Sequence, residues 1–137
     1  MFFGFDLRHF RAVNLHHGHV FGDSFLVELA RRLELAANPW PAFRLGGDEF
    51  LVAARLSGEQ DILDFAAFLR TEIERPIEGV AIETWAAAAR ASPGQTPEQL
   101  FRALDRALVA VQQNRWRELV VAPPGADETT WFERPVL

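Results

Sequence analysis

The sequence predicts an α+β domain: a ferredoxin-like βαββαβ core with one extra helix and one extra strand, its mixed central sheet covered by helices. Three observations carry that expectation. Helical and strand periodicities alternate in the order β-α-α-β-β-α-β-α-β, with no internal repeat and no low-complexity segment. Two short apolar runs flank Gly46-Gly47, the mark of a tight β-hairpin. The chain has 137 residues, 49% apolar and 24% charged, which suits one compact core and argues against disorder.

Each element has its own signal. Residues 2–7, FFGFDL, are bulky and end on a carboxylate, as a short buried strand does. His9 to His17 reads as a short helix stopped by Gly18. Gly22-Asp23-Ser24 is a start signal for a second helix, where Phe25, Leu26, Leu29, Ala30 and Leu33 recur at helical spacing opposite Glu28, Arg31 and Arg32. Asn38-Pro39-Trp40-Pro41 then breaks the chain.

Ala42 to Leu45 and Phe50 to Ala54 are the two hairpin strands. A third helix is expected over 59–75, with Ile62, Phe65, Leu69 and Ile73 on one face, ended by Pro76 to Gly79. Val80 to Ala89 suits a strand, although the alanines at 86–89 are also compatible with helix. Thr96-Pro97-Glu98-Gln99 is a capped helix start, with Pro at the first helical position and Gln three residues after Thr96. Leu100, Phe101, Leu104, Leu108 and Val111 form its apolar stripe. Leu119-Val120-Val121 is the last strand. The expected division is a domain over 1–122 and a tail over 123–137, whose Trp131 and Phe132 fold back onto the domain.

Composition narrows the function classes. The net charge is −5, which does not favour a broad nucleic-acid or anionic-membrane footprint. There is no cysteine, so a disulfide framework, a thiolate zinc site and a Cys nucleophile are excluded. No apolar run approaches the roughly 20 residues that span a bilayer. Met1 to Phe5 is followed at once by Asp6 and Arg8, which is not a signal-peptide pattern; the expected location is the cytoplasm.

The residues that can carry chemistry are acidic. Asp6 closes the first strand and Asp48-Glu49 sit at the hairpin tip, so three carboxylates meet at one sheet edge if those strands are neighbours. Carboxylates and backbone carbonyls are what Mg²⁺ or Mn²⁺ takes, with substrate phosphates completing the shell. Gly46 and Gly47 let the turn adopt positive φ and let a ligand approach the backbone. A solvated hairpin turn, where Gly and Asp are favoured anyway, accounts for the same residues. His16, His17 and His19 lack a partner carboxylate or cysteine at metal-ligand spacing and are poor zinc ligands.

Several blocks taken together go further. Phe5 to Asn14 (FDLRHFRAVN), Gly18-His19, Gly22-Asp23 and Arg44 to Phe50 (RLGGDEF) resemble, in order and spacing, the GGDEF family of diguanylate cyclases, and Leu104 to Leu108 continues the likeness more weakly. The resemblance runs to about residue 122. It implies a nucleotide-cyclase-like fold that binds GTP with Mg²⁺ or Mn²⁺, two ions per site. Two such domains would face each other as a transient homodimer and condense two GTP to cyclic di-GMP. By position, Asp6, Glu49 and the carbonyl of Leu7 would hold metal, and Asp48 or Glu49 would help deprotonate the attacking 3′-hydroxyl. Gly46 and Gly47 would pass close to the nucleotide. The backbone around Arg8 to Phe10 (with His9 between them) and the Arg11 side chain would hold phosphates. Asn14 and Asp23 would read guanine, whose N1–H and N2–H₂ both donate to a carboxylate; adenine presents an acceptor at N1, so such a site favours guanine by about 10⁴–10⁵.

Departures from the family pattern temper the expected rate. An acid expected two residues after Asp6 is Arg8, and the partner of Asn14 is Leu15. The phosphate-facing Lys and Arg of the last helix fall on Gln112 and Trp116, with Arg115 or Arg117 one residue away. Trp85 and Ala87 stand nearest the family's Ser-x-Gly strand. Ala37-Asn38-Pro39-Trp40 lacks the Arg-x-x-Asp of an inhibitory product site. The expectation is a weak cyclase, with a catalytically inactive GTP-binding module as the alternative. That module would regulate a sensor or phosphodiesterase domain, or act as an interaction domain. Neither reading involves nucleic acid or a membrane.

Overall fold

The computed structural model describes residues 1–127 and 129–133. The elements follow the expected order: β1 (Phe2–Arg8), α1 (Phe10–His17), α2 (His19–Ala37), β2 (Ala42–Arg44), β3 (Glu49–Ala53), α3 (Glu59–Glu74), β4 (Glu83–Ala89), α4 (Pro97–Asn114) and β5 (Val120–Ala122). One mixed five-stranded sheet results, in the order β2-β3-β1-β4-β5, antiparallel except for the parallel pair β4–β5.

Strand alternation assigns the faces. Phe3, Phe5 and Leu7 of β1 enter the core formed with α1, α2 and α3, while Phe2 packs toward α4 on the other side. Gly4 lies directly beneath α4: a Cβ there would sit 3.1 Å from methyls of Leu104 and Leu108. The four alanines of β4 divide in the same way, Ala86 and Ala88 to the first core, Ala87 and Ala89 to the second. That settles their ambiguity with helix. They form a strand, and their small side chains let α4 lie close on the sheet.

The start of α4 is as expected. Gln99 N donates to Thr96 Oγ1 (3.2 Å) and Thr96 N to Gln99 Oε1 (2.9 Å), a full capping box. Phe101 departs from the expected stripe and is exposed, because α4 buries Leu100, Ala103, Leu104, Ala107, Leu108 and Val111 and position 101 lies off that face.

The starts of α2 and β4 and one side chain of the tail depart furthest from expectation. α2 starts at His19, not at Gly22-Asp23-Ser24. Gly18 (φ 83, ψ 161) interrupts the helix for one residue, and Gly22 N already donates to its carbonyl at 3.0 Å. Gly22 is therefore a packing glycine within the helix. β4 starts at Glu83, because Val80 is taken up in an isolated bridge with Ile77. In the tail, Phe132 is buried against the α4 side of the core, whereas Trp131 is 79% exposed and does not fold back. Arg106 Nε holds this segment through the Thr130 carbonyl at 3.1 Å. Residues 128 and 134–137 of the expected tail lie outside the described residues. Among the described residues, no helix is long and apolar enough to cross a membrane.

Candidate functional site

β1 is the central strand, so its C-terminal end lies between β3 and β4. Asp6 pairs across the ladder with Glu49 on one side and Trp85 on the other. Residues directly opposite share a face, and Asp6 shares that of Gly4, so both carboxylates lie on the α4 side of the sheet. Leu7 N donates to the Asp48 carbonyl at 3.0 Å, which ties the third acid to the same strand end. The expected convergence at a sheet edge is thus corrected to convergence at a strand end. β1 is interior, and the order β3-β1-β4 leaves its terminus, not its flank, open to a ligand.

The hairpin is shaped for close approach. Glu49 N donates to the Gly46 carbonyl and Leu45 N to the Glu49 carbonyl, while Arg44 Nε braces the Gly47 carbonyl at 2.9 Å. Gly46 (φ 98) and Gly47 (φ 50) both adopt left-handed backbone, with open space where a side chain would stand.

Two groups from α4 reach the acids. Gln112 Nε2 donates to Asp6 Oδ2 at 2.7 Å. Burial raises the Asp6 carboxyl above its ordinary value; the charge of Asp48 adds to the rise, the Gln112 hydrogen bond offsets part of it, and Asp105 contributes further. Burial likewise raises Glu49, followed by the charges of Asp105, Asp6 and Asp48. Asp105 is the member that sequence reasoning passed over. Its signal was available: Asp105 and Gln112 are seven residues apart on one helix and so share a face. Asp105 and Glu49 also line a cavity of about 430 Å³ between the hairpin and α4, with Leu45, Phe101 and Leu104.

α1 begins immediately after β1. His9 holds a left-handed conformation (φ 62, ψ 31) at its N-cap, no side chain caps the helix, and its first turn carries no acid. Among the described residues no side chain accepts from its leading N–H groups, a favourable setting for an anion. The Phe10 side chain is core and packs on Phe25, so only its backbone faces outward; Arg11 is exposed. Asn14 Oδ1 is buried and has no hydrogen-bond partner among the described residues. It points at Gly22, where an added Cβ would lie only 1.8 Å away. Asp23 follows on α2 and is exposed.

The acids, the Gly-Gly turn and the start of α1 therefore meet at one end of the sheet, and Asn14 and Asp23 lie along the α1–α2 pair. Among the described residues, no three His, Cys, Asp or Glu side chains close on a common point. The expected set is two carboxylates and one carbonyl, and strand geometry points the Leu7 carbonyl to the same β3 side as its N–H. Arg117 is drawn elsewhere: it pairs with Glu74 at 3.2 Å and donates to the Thr84 carbonyl at 3.2 Å. Trp116 packs with the α4-side core, and Arg115 caps α4 in left-handed conformation. Of the two suggested replacements for the missing α4 cations, only Arg115 is uncommitted among the described residues.

Comparison with known proteins gives a consistent picture. The family model described as "Diguanylate cyclase, GGDEF domain" matches residues 1–117. Diguanylate cyclase VdcA of Vibrio cholerae is 37% identical over 71 residues, 51% of this chain and 21% of that protein. Diguanylate cyclase DgcP of Escherichia coli is 40% identical over 75 residues, 54% of this chain and 21% of that protein. The chain thus spans about a fifth of each of these relatives. The GGDEF domain of DgcB from Caulobacter crescentus, solved in complex with c-di-GMP, superposes with a TM-score of 0.75 at 22% identity, covering 88% of this chain and 76% of that one.

Proposed function

Because the chain belongs to the GGDEF domain family of diguanylate cyclases, we propose that it binds GTP with a divalent metal and condenses two GTP to cyclic di-GMP and two pyrophosphates. It would do so as a transient homodimer, slowly in isolation. The observation that carries this reading is the cross-strand pairing of Asp6 with Glu49 at an open strand end, beside the Gly46-Gly47 turn and the uncapped start of α1.

The donor set fits a hard divalent cation. It is all oxygen, and the cost of charging Asp6 and Glu49, which comes first from burial and then from neighbouring acids, is relieved by a bound positive charge. Asp6, Glu49 and the Leu7 carbonyl would hold Mg²⁺ or Mn²⁺. Bound there, two ions would neutralise charge on the phosphates and make the attacking hydroxyl more acidic. The remaining work falls to the chain. Asn14 and Asp23 orient the base, with the unpaired Asn14 Oδ1 supplying an acceptor. The N–H groups of α1 and the Arg11 side chain hold phosphates, and the open Gly46-Gly47 backbone admits the ribose end. Asp48 or Glu49 takes the 3′-hydroxyl proton as that oxygen attacks the α-phosphate of the nucleotide on the facing domain and pyrophosphate leaves. A carboxyl raised toward neutrality, as Glu49 is, suits a proton acceptor.

One experiment tests the reading: concentrated protein with GTP and Mg²⁺, product identified by chromatography and mass, and GTP binding titrated on the same batch. Cyclic di-GMP is the expected product. Absence of both product and GTP binding sinks the reading. GTP binding without product, persisting when a fused coiled coil pairs two domains, would favour the second reading, a GTP-binding module that regulates a partner domain. The neutral Gln112 on α4, Trp116 just beyond its cap and the commitment of Arg117 to Glu74 are what favour it.

Gly22→Ala gives a sharper check on the base site. Alanine suits a helix interior better than glycine by about 1 kcal/mol, and the new methyl meets only the movable end of Asn14 at short range. The fold should therefore survive with Asn14 displaced. GTP affinity is expected to fall about tenfold, the loss of one good hydrogen bond, with an unchanged or higher melting temperature. Unchanged affinity would detach Asn14 from base recognition.

A further inference from the structure

We propose that Arg8 is the side chain that meets the terminal phosphates of the nucleoside triphosphate, in place of the cations absent from α4. This rests on the nucleotide reading above. Arg8 is the last residue of β1, two after Asp6, and so projects from the same face of the strand. Its guanidinium lies over the ring of Trp85, 4.7 Å from the centroid, and Trp85 is the cross-strand partner of Asp6. The next residue is the left-handed His9, from which the uncapped α1 starts. Arg8 thus stands between the two features already assigned to the phosphates and the metal. Arg8 and His9 also head a cleft of about 520 Å³ that runs along α1 to His16 and His17.

A side-chain cation there would add to the positive charge of the metal in facing the phosphates. Asp6 and Glu49 both feel the charges of Asp48 and Asp105, and the α4 side chain bonded to Asp6, Gln112, is neutral. A polyphosphate entering such a field is repelled unless positive charge faces it. Of the other guanidiniums near this end, Arg117 pairs with Glu74, Arg102 with Glu98 and Arg44 with the Gly47 carbonyl, which leaves Arg11 on α1 and Arg115 after α4 to act beside Arg8. Arg8 is engaged as well, with Glu83 at 3.1 Å, but that carboxylate is 58% exposed. An exposed pair of this kind contributes little, so exchanging Glu83 for a phosphate costs little. Stacking on Trp85 keeps the guanidinium plane oriented during the exchange, which a lysine could not reproduce.

Titrations of GTP, GDP and GMP at fixed Mg²⁺, on the wild type, Arg8→Ala, Arg8→Lys and Glu83→Gln, test this. Arg8→Ala should weaken GTP about tenfold or more while leaving GMP within a factor of two, so the GMP arm reports that the fold and base site are intact. Arg8→Lys should recover part of the loss, and Glu83→Gln, which frees the guanidinium, should tighten GTP severalfold. If Arg8→Ala leaves the ratio of GTP to GMP affinity unchanged, whether by weakening both or neither, the assignment is overturned while the nucleotide reading stands. If the wild type binds none of the three, the nucleotide reading itself fails and takes this assignment with it.

Discussion

Glu49→Gln is expected to lower cyclic di-GMP formation at least about a hundredfold while making the metal-free protein more stable at neutral pH. The loss follows from removing a proposed metal ligand and proton acceptor at once; even groups that only support a ligand cost 10- to 100-fold. The gain in stability follows from the carboxyl cluster. Asp6 and Glu49 both have folded-state pKa values above their ordinary 3.8 and 4.5, raised first by burial and then by neighbouring acids. From those ordinary values up to the raised ones, the folded chain holds more protons than the unfolded chain. Stability of the metal-free protein therefore falls as pH rises through that window, and above it the whole penalty is present.

Replacing Glu49 by glutamine removes one of the penalised charges and relieves Asp6. Melting curves from pH 4 to 8 without metal should accordingly slope down less steeply for Glu49→Gln than for the wild type. Added Mg²⁺ should raise the wild-type melting temperature and move the variant much less, because a ligand stabilises only the state that binds it. Equal turnover by both proteins would remove Glu49 from the chemistry. Equal pH slopes would remove the charge cluster as a source of strain.

Phe5→Ala is expected to destabilise the fold by about 3–5 kcal/mol, a large part of the roughly 5–15 kcal/mol that holds a domain together. Phe5 has no exposed surface and stands in the middle of the central strand, paired with Phe50 on β3 and Ala86 on β4. No neighbour can collapse into the space without moving a strand. It also immediately precedes Asp6, so a relaxed strand would shift the site along with the core. Val20→Ala, at a position 84% exposed, should change stability by less than about 0.5 kcal/mol and serves as the control. Urea unfolding of the two variants beside the wild type measures both. A Phe5→Ala loss below about 1 kcal/mol would mean that the sheet tolerates a vacancy at its centre.

Much of the fold was legible because it rests on local rules. The Thr96–Gln99 capping box, the Gly46-Gly47 turn and the helical spacing of Leu29 and Leu33 each depend on a few neighbouring residues. The misreadings have a common physical origin. Gly22 resembled a helix start because glycine and aspartate favour helix termini; its actual role is to make room for Asn14 on the adjacent helix. Hydrophobicity points Phe101 and Trp131 inward but does not reveal whether an opposing surface exists, and both are exposed.

At the site, the acids and the glycine turn could be read from residue type and spacing, and the family from their order along the chain. Which α4 groups reach Asp6 could not. Gln112 is separated from Asp6 by 106 residues, and only the packing of α4 across Gly4 brings the two together. The same packing adds Asp105 to the cluster, and the pairing of β1 with β4 sets Arg8 on Trp85. Periodicity and turn chemistry are short-range properties, so the elements, their order and the candidate acids can be read from neighbouring residues. The charge balance around those acids depends on which distant side chains share a face, and the tertiary structure alone decided that.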